Sequence, residues 1–371
     1  MNALVKTYIF YLCNSSNLPQ LRKLSFVLLV SILLFGRSDA DAQINRSGIK
    51  KSNKRVGTYK GEVKRFGKGN IYNSIGFSLI AINYYGDLSP NPGKLSTDIS
   101  FTKPGFSISY NRRIAPRISL QGQFMFATLK GADAESAKQG DLKSGVFRHT
   151  RNLSFRNQIK ELSVVAIIDL FENPSTYISR VKWTPYLYVG VAGFLHNPQA
   201  IAPDKDLNGN PLAEAGKWVN LRPLGTEGQY STLDPTDVNY GIKPYSLLQV
   251  AIPFGIGARF RINEAMDLSA DIGIRYTFTD YLDDVSRNYV GLPKLSSPLA
   301  QAMSYRTNEI NGGIPTNPQP SGIPGVSVEA GYGSEFKTNN RGGSKENDAY
   351  MVTSVRLSYI LFPNYHVAKF R

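Results

Sequence analysis

The side chains most able to do chemistry in this chain are three histidines and a group of carboxylates. The histidines are His149, His196 and His366. Hydrolysis would need a histidine beside a nucleophile or a carboxylate pair, and His196 would meet Asp280 or Asp283 only if two distant segments came together. The spacing does not require this, and lone histidines are usually structural or solvated. We therefore predict no catalytic residue and no enzymatic activity.

A second candidate is a partial calcium loop. Asp204, Asp206 and Asn208 precede Gly209 in the pattern D-x-D-x-N-G that opens a calcium-binding loop. The bidentate glutamate due at the twelfth position is missing, because Ala215 stands there. Asp, Asn and Gly also form ordinary turns, so this is a weak metal candidate. No other metal site is predicted, and without a phosphate-binding or dinucleotide motif we predict no cofactor and no small-molecule substrate.

The elements that must position these residues are strands with a period of two. From Ile252 to Ile262, and again from Leu268 to Phe278, apolar residues alternate with Gly, Ser, Asp and Arg. Such strands are typical of a barrel with lipid on one side and a narrow interior on the other. The predicted fold class is all-β, an eight-stranded antiparallel transmembrane outer-membrane β-barrel with long extracellular loops. The predicted strands cover residues 71–83, 104–113, 117–129, 151–171, 183–195, 248–262, 267–280 and 350–361.

The connections between these strands alternate between short and long. In outer-membrane barrels short turns face the periplasm and long loops the exterior, so both termini are predicted to be periplasmic. We expect Asp280, Asp283 and Asp284 to form a solvated acidic loop base. Residues 306–347 are rich in Gly, Asn, Pro and Ser, which predicts a flexible exterior loop with few apolar anchors.

The predicted interior carries charges of both signs. Eight strands leave an interior just wide enough for side chains to fill, and buried charges need pairing and hydrogen bonds. We therefore expect a structural plug and no channel. The predicted interior polar network consists of Arg259, Arg261, Arg275, Arg356, Glu161, Asp169 and Asp271.

The first 42 residues have the pattern of a secretory signal peptide. Residues 24–35 are an apolar run behind Arg22 and Lys23, and Ala-Asp-Ala follows at 40–42. The run is too short to span a membrane as a helix. Cys13, the only cysteine, lies within this segment, so the mature chain is predicted to have no thiol or disulfide.

Residues 43–70 carry much of the formal net charge of +15, with nine lysines and arginines against Glu62 alone. Such a segment is predicted to be a disordered, basic periplasmic tail before the barrel domain at 71–371. It is either a solvated linker or an electrostatic contact for an acidic partner. Export argues against a nucleic-acid partner. The partner-binding candidates in the tail are Lys50, Lys51, Lys54, Arg55, Lys64 and Arg65.

Several stretches resemble the PorG-like outer-membrane proteins of the type IX secretion system, a family of the Bacteroidota. They lie at residues 83–88, 151–163, 186–198, 223–229 and 279–286, and the sequence PLGTEGQ at 223–229 is the most specific. The resemblance implies a barrel in contact with the lipids of the outer membrane and with a periplasmic ring of PorK/PorN-like proteins. It implies a structural or assembly role in protein secretion and gliding motility, without catalytic residues.

Two alternatives stay open beside this interpretation. The chain could be a generic small outer-membrane barrel or a loop-presenting adhesin, whose function would lie in the exterior loops. Less favoured is an outer-membrane hydrolase, which would need a compact polar group around His196.

Overall fold

The computed structural model describes residues 66, 70–89, 101–137, 145–344 and 346–361. The predicted signal peptide with Cys13, His366, and all six partner-binding candidates lie outside the described residues, as does the predicted basic tail except for Phe66 and Asn70. In the part of the chain that the structure describes, no helix is both long and apolar enough to cross a membrane.

Eight long strands form a closed antiparallel ring. The strands of the structure, long and short, are β1 (Asn73–Tyr85), β2 (Lys103–Arg113), β3 (Ile118–Ala132), β4 (Ser154–Asp169), β5 (Trp183–Leu195), β6 (Pro198–Ile201), β7 (Trp218–Asn220), β8 (Leu248–Arg261), β9 (Met266–Thr277), β10 (Pro318–Pro320), β11 (Ser327–Glu329) and β12 (Ala349–Leu361). In the ring, each long strand pairs with its neighbour in the order β1-β2-β3-β4-β5-β8-β9-β12, and β12 pairs with β1 to close the barrel.

The predicted alternation of faces is confirmed in these strands. Apolar side chains on the outer face are exposed, with Leu79 at 66% and Leu162 at 65%. On β5, which is apolar on both faces, Leu187 is exposed, whereas Tyr186 and Tyr188 point into the barrel. Because β12 pairs with β1, the ring has no edge strand with a row of unpaired backbone groups.

The predicted strand boundaries differ from the observed ones at most ends, by three residues or fewer. The prediction for β5 is correct at both ends, whereas β4 begins at Ser154 and not at residue 151. Helices occupy Asp133–Ser136 (α1), Gly145–Arg151 (α2) and Pro298–Ser304 (α3), and 3₁₀ turns occupy Arg222–Leu224, Leu292–Lys294, Thr307–Glu309 and Asn311–Gly313. The later start of β4 is explained by α2, which ends just before this strand.

The long connections meet at one end of the barrel, which we call the mouth, and the short turns meet at the other, where β1 begins and β12 ends. At the mouth, β6 pairs with β4 and β7, and β10 pairs with β11. A second apolar core forms here around Tyr305, Val328 and Tyr332. Residues 306–347, for which few apolar anchors were predicted, contribute Val328 and Tyr332 to this core.

Candidate functional site

Six of the seven residues named for the interior form three ion pairs inside the barrel. Arg356 Nη2 lies 2.9 Å from Asp271 Oδ2, and Arg259 Nη1 lies 3.3 Å from Asp169 Oδ2. Arg275 Nε lies 3.7 Å from Glu161 Oε2. Each arginine comes from one strand and its carboxylate from another, so the pairs bridge the interior. Charges buried in this way are tolerated because each has an opposite charge beside it.

Arg261 does not belong to these charge pairs. It is only half-buried at the short-turn end, and its Nη1 donates to the backbone oxygen of Arg180 at 3.0 Å. Sequence reasoning missed Arg180 itself, which reaches back from the connection after β4 and pairs with Asp267 at 2.7 Å. It also missed Arg113, 3.8 Å from Asp169. The short-turn end is therefore closed by arginines that lie near or beyond the ends of the strands.

Tyrosines and glutamines complete the interior network. The Tyr350 hydroxyl donates to Glu161 at 2.7 Å, and the Tyr186 hydroxyl donates to Asp271 at 3.0 Å. Gln121 accepts from Arg356 at 2.5 Å. The ring of Tyr186 fills the interior space beside Gly257, where any side chain in place of the glycine would collide with it. The inward-facing glycines on β8 and β9 leave room for large side chains from β5. They are the sequence signal that could have indicated inward tyrosines on β5.

The interior nearer the mouth is apolar. Ile82, Met125, Ile159 and Phe194 are fully or almost fully buried there in one cluster. The sequence predicted a polar filling throughout, and this is correct only for the part nearer the short turns. Cavities between the polar side chains are about 10 to 20 Å³, which is room for about one water molecule each. None of these three cavities is large enough to form a passage through the interior.

A buried ion-pair network closes the mouth above this apolar layer. Glu227 Oε1 accepts from Arg341 Nη1 at 3.1 Å and from the backbone amides of Ser286 and Arg287 at 2.9 and 3.1 Å. Asp284 accepts from the Thr226 hydroxyl at 2.5 Å. Both carboxylates are fully buried. The stretch 223–229, the most specific part of the family resemblance, thus holds the loops together.

The acidic residues 280–284 are not the solvated loop base that was predicted. Asp283 and Asp284 are buried, and Asp280 is half-buried. Tyr84 Oη lies 2.7 Å from both Asp283 Oδ2 and Asp348 Oδ1. Burial raises the pKa of Asp280 to about 9 and that of Asp284 to about 6. At neutral pH Asp280 therefore favours the protonated state, whereas Asp284, which lies 3.6 Å from Arg341, is ionised.

His196 is a buried structural residue. Its Nε2 donates to the backbone oxygen of Ser246 at 3.1 Å, and its Nδ1 accepts from Asn157 Nδ2 at 3.4 Å. Burial lowers the pKa of the imidazole to about 4, so the ring is neutral at pH 7. Among the described residues no carboxylate hydrogen-bonds to it, and the pairing with Asp280 or Asp283 is not found. His149 lies on α2 beside a cavity of about 250 Å³ among the loops over the mouth.

The calcium candidate folds as a turn that uses its own carboxylate. Asp206 Oδ1 accepts from the amides of Asn208 and Asn210 at 2.9 and 2.8 Å, and Oδ2 accepts from Asn210 Nδ2 at 3.0 Å. These bonds lower the pKa of Asp206 against the opposing effect of burial. The described part of the chain has no group of three or more His, Cys, Asp or Glu side chains placed to hold a metal ion. Asp204, Asp206 and Asn208 are accounted for by the turn.

Among solved structures, the chain is similar to several outer-membrane proteins. OprG from Pseudomonas aeruginosa is 9% identical over 81% of this chain and 100% of its own, with a TM-score of 0.32. Neisserial surface protein A is 10% identical over 78% and 96%, with a TM-score of 0.28. Ail of Yersinia pestis, in complex with a heparin analogue, is 8% identical over 78% and 97%, with a TM-score of 0.29. The barrel assignment rests on the strand pairings of this chain.

The sequence comparisons give one match. No curated protein matches the chain. Residues 63–213, which include strands β1 to β6, match the family model described as a domain of unknown function, DUF6089.

Proposed function

We propose that this chain is a non-enzymatic outer-membrane barrel that serves as a structural component of the type IX secretion and gliding machinery. The observation that carries the non-enzymatic, structural part is the filled interior. Charge pairs, an apolar layer and the buried mouth network occupy the space in which another barrel would hold a channel. A barrel with a filled interior can contact other molecules only through its outer surface.

The membrane location is supported by the outer face of the strands. Apolar side chains such as Phe77, Val164 and Ile256 are more than half exposed, whereas the side chains of the charge pairs, such as Arg356 and Asp271, point inward. A soluble protein rarely exposes an apolar area of this extent, and lipid is the solvent that such a belt requires. We infer that the short-turn end faces the periplasm, with both termini, and that the long loops face the exterior.

The secretion role is supported by the family resemblance and by the place of the resembling stretches in the fold. Two of the resembling stretches, 223–229 and 279–286, meet in the mouth network through Glu227 and Ser286. We infer that contact with a periplasmic ring of PorK/PorN-like proteins is made at the other end, by the short turns and the basic tail. The tail would raise the rate of encounter with an acidic partner and add a salt-sensitive part to the binding.

Crosslinking in intact envelopes, followed by purification of the barrel, tests this role. Deletion of residues 43–66 should leave the barrel inserted but reduce recovery of the ring proteins, with the largest difference at low salt. The matched control is Ile314→Ser in the exterior loops, at a side chain that is 75% exposed. Loss of the ring proteins in the loop variant, with normal recovery after the tail deletion, would contradict the proposed topology or partner.

A presenting role for the loops is the second candidate, and one observation favours it. The loops over the mouth form a cap with its own apolar core around Tyr289, Leu292 and Val328. This cap exposes Tyr240 and Phe336. A rigid cap with exposed aromatic side chains suits contact with an external partner. Normal secretion by a strain that lacks this protein, together with lost adhesion, would favour this candidate.

A further inference from the structure

The outer face of strand β4 changes from apolar to basic as it approaches the mouth. Leu162 and Val164 belong to the exposed apolar belt. The next outward positions toward the mouth are Lys160, Gln158 and Arg156, of which the first two are exposed. This change marks the edge of the belt, where lipid headgroups replace acyl chains.

We call the outward positions Lys160, Gln158 and Arg156 the basic strip of β4. A further basic side chain, from β3, lies beside this strip. Lys130 is the register partner of Arg156 in the β3–β4 pairing, so their side chains leave the sheet at neighbouring points on the same face. Like charges placed directly opposite each other on two strands are destabilising. One carboxylate lies nearby, because Lys130 Nζ is 2.6 Å from Glu135 Oε1. Three cations and one carboxylate leave this surface with a net positive charge.

Arg156 is held in place on the outer surface. Its guanidinium carbon lies 3.7 Å from the ring centroid of Trp218 on β7, and its Nε donates to Gln199 Oε1 on β6 at 3.0 Å. Among the described residues these are its recorded polar contacts, so the Nη groups remain available as donors. A guanidinium fixed in this way loses less conformational entropy when it binds an oxyanion.

We propose that Lys130, Arg156 and Lys160 form a binding site for the phosphate group of an anionic membrane lipid. The site rests on the membrane location proposed above. The Nη groups of Arg156 would donate to two phosphate oxygens, the geometry that guanidinium and phosphate share, and Lys130 would add a second charge. Lys160 lies four residues from Arg156 along the strand, about 13 Å away, and would engage a second phosphate or a neighbouring lipid. Basic clusters at the edge of the hydrocarbon region suit lipid headgroups.

The test uses the full chain in micelles of a non-ionic detergent, with phosphatidic acid as the phosphate-bearing lipid and phosphatidylcholine as the neutral one. Bound lipid is counted by native mass spectrometry. We expect retention of phosphatidic acid over phosphatidylcholine, and a loss of about tenfold in its affinity in Arg156→Gln. Lys160→Gln should weaken binding without disturbing the fold, because its side chain is exposed. Glu135→Gln should strengthen binding, since it removes the one nearby negative charge.

Lys243→Gln is the matched control, because Lys243 is an exposed lysine in a loop and is not one of the three proposed lipid-binding residues. If Arg156→Gln and Lys160→Gln both bind phosphatidic acid as Lys243→Gln and the wild type do, the site is wrong. If inorganic phosphate competes equally well, the ligand is a free anion and the lipid assignment is wrong. Insertion into neutral phosphatidylcholine vesicles is measured separately. Failure there would overturn the membrane location, whereas normal insertion without lipid preference would overturn this site alone.

Discussion

Arg341 and Glu227 form a buried ion pair that joins two loops across the mouth of the barrel. Their Nη1 and Oε1 atoms are 3.1 Å apart, although 114 residues separate them in the chain. Arg341 also lies 3.6 Å from Asp284, so one guanidinium serves two buried carboxylates. This relationship explains why the loops over the mouth are ordered around a common centre.

Removal of the guanidinium should therefore open the mouth. Arg341→Met leaves Glu227 and Asp284 buried without their counter-charge, a change that costs about 3–5 kcal/mol. We expect rapid cleavage of the loops by a soluble protease while the strands stay protected. Arg117→Gln is the control, because its pair with Glu172 is more than half exposed and contributes about 1 kcal/mol or less. Equal protease resistance of the two variants would show that the network does not hold the loops.

The sequence predicts the barrel more completely than it predicts the mouth, and the reason is the range of the signals. Alternation along β8 and β9 is local, so Ile256 and Ile272 could be placed outward and Arg275 inward from their neighbours alone. Glu227, Asp284 and Arg341 lie in loops without a period, and their contacts depend on chain closure over long distances. The acidic residues could not be recognised as buried, because carboxylates without a nearby partner in sequence are usually solvated.

The outward facing of β9 gives a second prediction. Ile272 is exposed on the outer face, and its neighbour Gly273 points inward against the Tyr188 ring. Ile272→Arg should lower the free energy of unfolding by about 2–4 kcal/mol near the middle of the membrane and reduce insertion into vesicles. Ile272→Leu should insert as the wild type does. Normal insertion and stability of Ile272→Arg would mean that this face does not contact lipid.

The trapped carboxyl groups give a third prediction, on pH dependence. Burial raises the pKa of Asp280 to about 9, above the value of about 3.9 expected in the unfolded chain. The folded state then binds the proton more tightly, so stability falls as the pH rises from about 4 to about 9. We expect a lower thermal unfolding midpoint at pH 9 than at pH 6, and a smaller difference in Asp280→Asn. His196 acts in the opposite sense between about pH 4 and about pH 6.5, because burial lowers the pKa of its imidazole to about 4 and only the unfolded chain takes up the proton there. An unchanged difference in the variant would contradict the burial of this carboxyl.

The neutral, buried His196 gives a fourth prediction. If the histidine has only a structural role, His196→Gln should retain secretion by the host machinery, because an amide can replace both of its hydrogen bonds, to Ser246 and Asn157. Secretion is measured at matched levels of the inserted protein. Lost secretion with a normal amount of folded barrel would restore the hydrolase alternative.

The central claim, that the barrel is a filled structural element, is tested most directly by the conductance of the purified protein in planar lipid bilayers. Arg356–Asp271, Arg275–Glu161 and Arg259–Asp169 occupy the interior, so the wild-type protein should insert without stable ion-conducting steps. Insertion is verified in the same preparation by protease protection of the strands. A reproducible, long-lived open channel formed by the pure wild-type protein would contradict the filled interior and the structural role that rests on it.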